Sequence, residues 1–457
     1  MIFTRDKSFY RSLVALAIPV ALQNLITFAV TLADNLMVGK LGDAAVSGVY
    51  MGGQIQTFLQ MFSGGIEGAI LILAAQYWGR RDTGSIKRIV SIGLHFSIVC
   101  GLVLTAVCIV FPRPIISIFA SDPSVIEEGT NYLRTVCFSY VFFCVTQALI
   151  AAMRSVEVAR IGMVVSAISL VVNICLNWVL IFGHFGFPAL GVTGAALATV
   201  FARITETAVM VFYAAKVDKR LSLKFRDLLH SDRELRKDFI RYGAPIIGGN
   251  VVWSVNMLAS SAILGRFPAS VITATSVANT LHSLAYVTMN GMSSALGIIT
   301  GKTVGAGKYD RMREYAYTTQ IIFLVLGIVS GIAMFLVKGP FISLYGGITA
   351  EAADYSRQFI TVLSVTFVGT CYQVPTLFGL VKSGGDVGFV FKNDTIFVFL
   401  VVLPSAIIAS YLGAPAWVVF ACLKCDQILK CFVAVVKINR FNWMKNLTRD
   451  NRIEQKV

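Results

Sequence analysis

Two acidic side chains stand inside stretches that otherwise exclude charge. Asp34 lies toward the far end of an apolar run over residues 12–38, and Glu67 lies well inside the next, 44–77. A carboxylate at the centre of a bilayer costs roughly 2.5–3.5 kcal/mol on insertion scales, so its default reading is functional. Each acid belongs to a polar series at helical spacing. Asn24, Thr27, Thr31 and Asp34 form one series, and Gln56, Gln60, Ser63 and Glu67 a second. Ser166, Ser169, Asn173 and Asn177 form a third. Steps of three and four place each series on one helix face. A desolvated carboxyl group takes up a proton more readily than one in water, which is what a proton-coupled carrier needs. The same carboxylate with the Asn173 and Asn177 oxygens is equally a donor set for Na⁺. The competing reading of Asp34 is an N-terminal cap or a helix-end residue in the headgroup zone. Ser and Thr in such seams can also simply tie helices together, at about 0.6–2 kcal/mol per bond. Glu67 is either a second titrating site or the partner of a cation on another span. Arg203 and Glu206, three apart, and Asp426 and Lys430, four apart, read as structural pairs.

The elements that must hold these residues are membrane spans. The chain has 457 residues, 56% hydrophobic and 14% charged, with a mean hydropathy of +0.75. A soluble domain carries about a quarter charged residues. Twelve apolar stretches reach spanning length: 12–38, 44–77, 89–111, 131–153, 161–183, 191–215, 242–264, 270–303, 314–337, 356–381, 390–412 and 415–436. Residues 216–241 form a charged mid-chain linker, and 437–457 a basic tail. With the N-terminus inside, the inner segments hold 29 Lys and Arg, and the outer loops hold only Lys40, Arg113, Arg266 and Lys338. That asymmetry predicts a multi-pass inner-membrane protein with both termini cytoplasmic. It also explains the net charge of +15 as topology, with no nucleic-acid partner.

The sequence repeats itself at one offset of 226 residues. Ala17-Ile18-Pro19 returns as Gly243-Ala244-Pro245, Gly65 as Gly291, Gly79 as Gly305, and Pro114-Ile115-Ile116-Ser117 as Pro340-Phe341-Ile342-Ser343. Six spans separate each residue from its copy, so the copies share orientation. The expected fold is all-α: twelve transmembrane helices in two six-helix lobes, 1–215 and 242–436, related by a pseudo-two-fold axis along the membrane normal. The mates of Asp34 and Glu67 are Ser260 and Ser293, so the first half alone owns these acids.

Enzyme chemistry has no foothold. There is no Walker loop, no GxSxG, no HExxH and no histidine cluster. The nine cysteines all fall in apolar runs and read as small buried hydrophobes. No cofactor or structural metal is expected. Without a P-loop the driving force must be an ion gradient, in which one charge moving through 100 mV is worth about 2.3 kcal/mol.

Several segments carry a family resemblance. They are Ala33-Asp34-Asn35-Leu36-Met37-Val38-Gly39, Ala75-Gln76-Tyr77-Trp78-Gly79, Gly191-Val192-Thr193-Gly194-Ala195-Ala196-Leu197-Ala198-Thr199 and Gly305-Ala306-Gly307-Lys308. With twelve spans, they resemble the multidrug and toxic compound extrusion (MATE) family over essentially the whole chain. The resemblance implies a two-lobed secondary antiporter exporting cationic amphipathic compounds against H⁺ or Na⁺. The family's first-span Asp falls on Asp34, and its fifth-span Asn and Asp fall on Asn173 and Asn177, the second being Asn here. The expected ion-coupling set is Asp34, Asn173, Asn177 and Glu67, with Na⁺ as a candidate at the first three. The expected chamber residues are Gln60, Phe62, Asn250, Tyr286, Asn290, Tyr372 and Gln373. Beyond the lipid bilayer and a small amphipathic substrate no partner is implied, and a monomer is expected. Two other readings stand beside it: a lipid-linked oligosaccharide flippase of the same superfamily, which would want free cations such as Arg203 and Lys302, and a non-transporting receptor or scaffold.

Overall fold

The computed structural model describes residues 4–119, 122–224, 226–227, 232–345 and 348–449, and these form helices and turns with no strand. In chain order the helices are α1 (Lys7–Val38), α2 (Asp43–Gly79), α3 (Thr83–Val110), α4 (Pro112–Ser117), α5 (Pro123–Val136), α6 (Ser139–Ser155), α7 (Arg160–Phe182) and α8 (Gly191–Phe212). The second half continues with α9 (Arg233–Leu264), α10 (Ala269–Gly305), α11 (Tyr309–Ser343), α12 (Ala350–Val374), α13 (Val387–Ile396), α14 (Leu403–Tyr411), α15 (Ala416–Lys424) and α16 (Asp426–Asn439). Local signals set several starts. Asp82 and Asp122 accept the backbone N–H of Ser85 and Ser124 ahead of α3 and α5, and Pro123 opens α5.

The 226-residue repeat governs the helix ends. Lys7–Val38 maps onto Arg233–Leu264, and Asp43–Gly79 onto Ala269–Gly305, end for end. Both first helices carry an internal proline, Pro19 and Pro245, each of which removes a helix hydrogen bond.

The chain divides into two units: a first one of Leu22–Ile247, and a second one of Met1–Ala21 with Gly248–Val457. Their boundaries lie one repeat apart, just past the two prolines. They do not coincide with the divisions expected at 215 and 242, because the opening part of each repeat's first helix packs in the unit of the other repeat. In the first unit Ile247 of α9 fills the notch left by Gly65 of α2. In the second unit Ala17 and Ala21 of α1 fill the notch left by Gly291 of α10. Thr4 and Asp6 add hydrogen bonds to α11 there, Thr4 N–H to Thr318 Oγ1 at 2.8 Å and Tyr315 Oη to Asp6 at 2.6 Å.

Among the described residues nine helices are long and apolar enough to span a membrane, and the bent pair α5–α6 makes a tenth. The remaining two of the twelve expected spans are α10, diluted by its polar series, and α15–α16, interrupted at Cys425. Val99, Leu102 and Val103 of α3 are more than half exposed, a face that suits lipid rather than water.

Two expected polar segments are more ordered than a linker and a tail. Residues 233–241 already belong to α9, and Lys87 of α3 pairs with Asp227 at 2.8 Å; 225 and 228–231 lie outside the described residues. Beyond α16, Trp443 is fully buried and packs on Gly384. Lys437 and Lys445 both reach Asp386, at 2.7 and 2.8 Å. Residues 450–457 lie outside the described residues.

Candidate functional site

In the first unit the third polar series forms the buried face of α7: Ser166, Ser169, Asn173 and Asn177 are all buried. Its last member meets the first series. Asn177 Nδ2 donates to Asp34 Oδ1 at 2.5 Å and to Asn173 Oδ1 at 3.2 Å. Asn177 is fully buried, and its own Oδ1 has no partner. Asp34 sits one turn before the C-terminal end of α1. A carboxylate there lies against the negative end of the helix dipole, so capping does not account for it. No cation stands within ion-pair distance of Asp34 among the described residues.

Two further groups that act on Asp34 come from α5 and α8. Tyr132 of α5 is buried within electrostatic range of Asp34 and occupies the space that Gly52 of α2 leaves open. Arg203 of α8 acts on Asp34 from farther off but is committed to Glu206, at 2.6 Å, with Phe143 under its guanidinium at 5.1 Å. The Arg203–Glu206 pair is therefore present, and Arg203 is not the free cation that an anionic-lipid flippase needs. Tyr132 was not singled out from sequence, because a lone tyrosine in a span carries no spacing signal.

Glu67 does not join this set. Arg154 of α6 binds it through Nη1 at 2.9 Å and reaches Gln23 of α1 through Nη2 at 2.8 Å. Of the two readings open for Glu67, the geometry is that of an ion pair. Gly162 leaves the space that Gln23 fills.

The expected chamber residues divide between the units. Gln60 and Phe62 lie in the first, exposed and half-buried, with Phe62 against Phe58 at 4.9 Å. The other five lie in the second. Asn290 is exposed, Asn250 half-buried, and Tyr286 stacks on His282. The Tyr372 hydroxyl donates to Gln320 at 2.8 Å. Gln373 is buried, and its Nε2 donates to Gln427 Oε1 at 2.8 Å. That bond leads to a buried charge cluster. Gln427 Nε2 donates to Asp426, and Lys430 lies between Asp426 at 3.0 Å and Asp394 at 2.9 Å. Sequence reasoning found Asp426 and Lys430 but passed over Asp394. The signal was there, a carboxylate inside the eleventh apolar stretch.

Comparison with known proteins agrees with this architecture. The MatE family model matches residues 19–179 and 245–415, two copies that begin at the paired prolines. The chain is 25% identical over 392 residues to the probable multidrug resistance protein NorM of Halalkalibacterium halodurans, covering 85% of this chain and 84% of that one. It is 26% identical over 343 residues to the probable multidrug resistance protein YoeA of Bacillus subtilis, covering 74% of each. In fold it resembles the Vibrio cholerae MATE transporter VcmN in the bent form, with a TM-score of 0.86 at 14% identity over 95% of this chain and 97% of that one. It also resembles the eukaryotic MATE transporter AtDTX14, with a TM-score of 0.83 at 18% identity over 96% and 97%. With most of its length matched in two repeated copies, this multi-pass membrane protein belongs to the MatE family.

Proposed function

We propose that the protein is a secondary efflux antiporter of the inner membrane, with both termini cytoplasmic, acting as a monomer. It exports cationic amphipathic compounds in exchange for H⁺ or Na⁺. The observation that carries this reading is the company Asp34 keeps: a half-buried carboxylate bound only by amides, beside a buried amide oxygen with no partner. Such a group has no resident counter-ion. It is completed by a proton or, with Asn173 and Asn177 as further oxygen donors, by Na⁺. In either form its negative charge is cancelled, so a cationic cargo held by that charge is released. The names of the curated relatives, probable multidrug resistance proteins, support drugs as the cargo. Nothing in this cycle needs a cofactor.

The test is export of a fluorescent organic cation from vesicles with pH and Na⁺ gradients imposed separately. Asp34→Asn is expected to abolish gradient-driven export, and the gradient that drives the wild type names the coupling ion. Unchanged coupled export by Asp34→Asn removes Asp34 from the mechanism. Binding of the cation without passage across the membrane would favour a receptor.

A further inference from the structure

The second unit carries an elongated groove on its surface, of about 750 Å³, between α12 and the broken pair α15–α16. The two elements meet at Gly369, whose missing side chain lets Gln427 of α16 come against its backbone. Toward their N-terminal ends α12 and α15 stay in contact through the Phe359–Phe420 stack, 4.3 Å between ring centres, and the surface trough beside it is walled by Val362, Val365, Trp417, Ala421, Ile428 and Leu429. Measured along the helices, the wall runs from Arg357 to Thr366 on one side and from Trp417 to Leu429 on the other. At 1.5 Å per residue these are about 14 and 18 Å. One leaflet contributes about 15 Å of hydrocarbon, so the groove has the length of a single-leaflet acyl chain.

Its mouth is polar and positively charged. Arg357 lines it. Lys338 of α11 reaches the same place, donating to Thr361 Oγ1 at 3.1 Å, while Thr361 donates to the Arg357 carbonyl at 2.7 Å. The Phe335 ring, 3.6 Å below the Lys338 ammonium, holds it in position. Among the described residues the carboxylate paired with Arg357 is Asp354, at 3.8 Å, with both side chains more than 60% exposed. Such a contact contributes little. Gln358, also in the lining, has a buried Oε1 with no partner. Two cations therefore stand at one end of an apolar trough, with Trp417 nearly half exposed in its wall.

We infer that this groove is a binding site for one anionic phospholipid, with an acyl chain along the trough and the phosphate on Arg357 and Lys338. The inference requires only that the chain lies in a membrane, and stands apart from what it exports. A zwitterionic headgroup brings its own cation to the same two side chains and is disfavoured. A cationic cargo is repelled.

The full-length protein, purified and partly delipidated, is mixed with equimolar phosphatidylglycerol and phosphatidylcholine, and retained lipid is read by native mass spectrometry. The wild type is expected to retain phosphatidylglycerol about tenfold over phosphatidylcholine. Lys338→Gln with Arg357→Gln is expected to erase that preference, and Lys338→Arg with Arg357→Lys to keep it. Ala421→Trp, which fills the trough and leaves the charges, is expected to lower retention of both lipids. Equal retention of the two lipids by the wild type overturns the proposal, as does an unchanged preference in the glutamine double variant. If inorganic phosphate raises the melting temperature as much as phosphatidylglycerol does, the mouth is a free-phosphate site and the lipid assignment is wrong.

Discussion

Two acid sites, one in each unit, are partnered in opposite ways. In the first, Asp34 receives hydrogen bonds from amides and has no cation at contact distance. In the second, Asp394 and Asp426 share the Lys430 ammonium, and the side chains of all three are at most 15% exposed. An amide steadies a carboxylate without cancelling its charge. A lysine cancels it permanently, since losing that partner strands a buried charge. The first arrangement therefore stays open to an exchangeable ion, whereas the second holds its counter-ion on a covalent tether. Glu67 follows the second pattern, with Arg154 in the lysine's role.

The sharpest way to break this comparison is to give the first unit a tethered cation. Asn173→Lys places an ammonium where Asp34 now has an amide neighbour, and coupled export is expected to fall to the Asp34→Asn level. Vesicle assays on protein that elutes as a single monodisperse peak would check it. Retained coupling would mean that Asp34 needs no exchangeable partner. Next in size is the reverse operation. Lys430→Met strands two buried carboxylates and is expected to cost about 3–5 kcal/mol of stability, read by thermal or denaturant unfolding in detergent. Adding Asp394→Asn and Asp426→Asn to that variant is expected to restore much of the loss, since the cost lies in uncompensated charge. If the triple variant is no better, the cluster stabilises by packing alone.

Asp386 gives the smallest effect and sharpens the comparison outside the spans. Burial pushes its carboxyl up, but the adjoining Lys437 and Lys445 outweigh that and hold it below the ordinary carboxylate range. Its folded value being the lower one, its stabilisation is complete above about pH 4 and is lost as pH falls through the folded value. Asp386→Asn is expected to cost about 1–3 kcal/mol, to flatten this acid dependence, and to expose residues 440–449 to limited proteolysis. An unchanged acid transition would show that the lysines do not anchor that segment.

Much of this was legible in the sequence because the bilayer constrains composition so strongly. The spans, the repeat and the costly acids follow from hydropathy, from one fixed offset and from the rarity of intramembrane charge. The Asp34–Asn177 contact was legible because each residue ends a polar series on its own helix. What escaped depends on contacts between helices, which periodicity does not encode. Tyr132 is seated in the space that Gly52 of the neighbouring helix yields. The Arg154 partner of Glu67 lies 87 positions away. The unit boundaries at 21 and 247 follow from the Gly65 and Gly291 notches, which spacing alone does not link to Ile247 and Ala21.

Those notches bear on how the gene can be cut. Each compact unit is finished by a short stretch encoded in the opposite half, so a break in the mid-chain loop yields two fragments, neither holding a whole unit. Such fragments are expected to persist only when synthesised together. The two halves of the gene are thereby bound together, because each encodes a piece that the other half's unit needs.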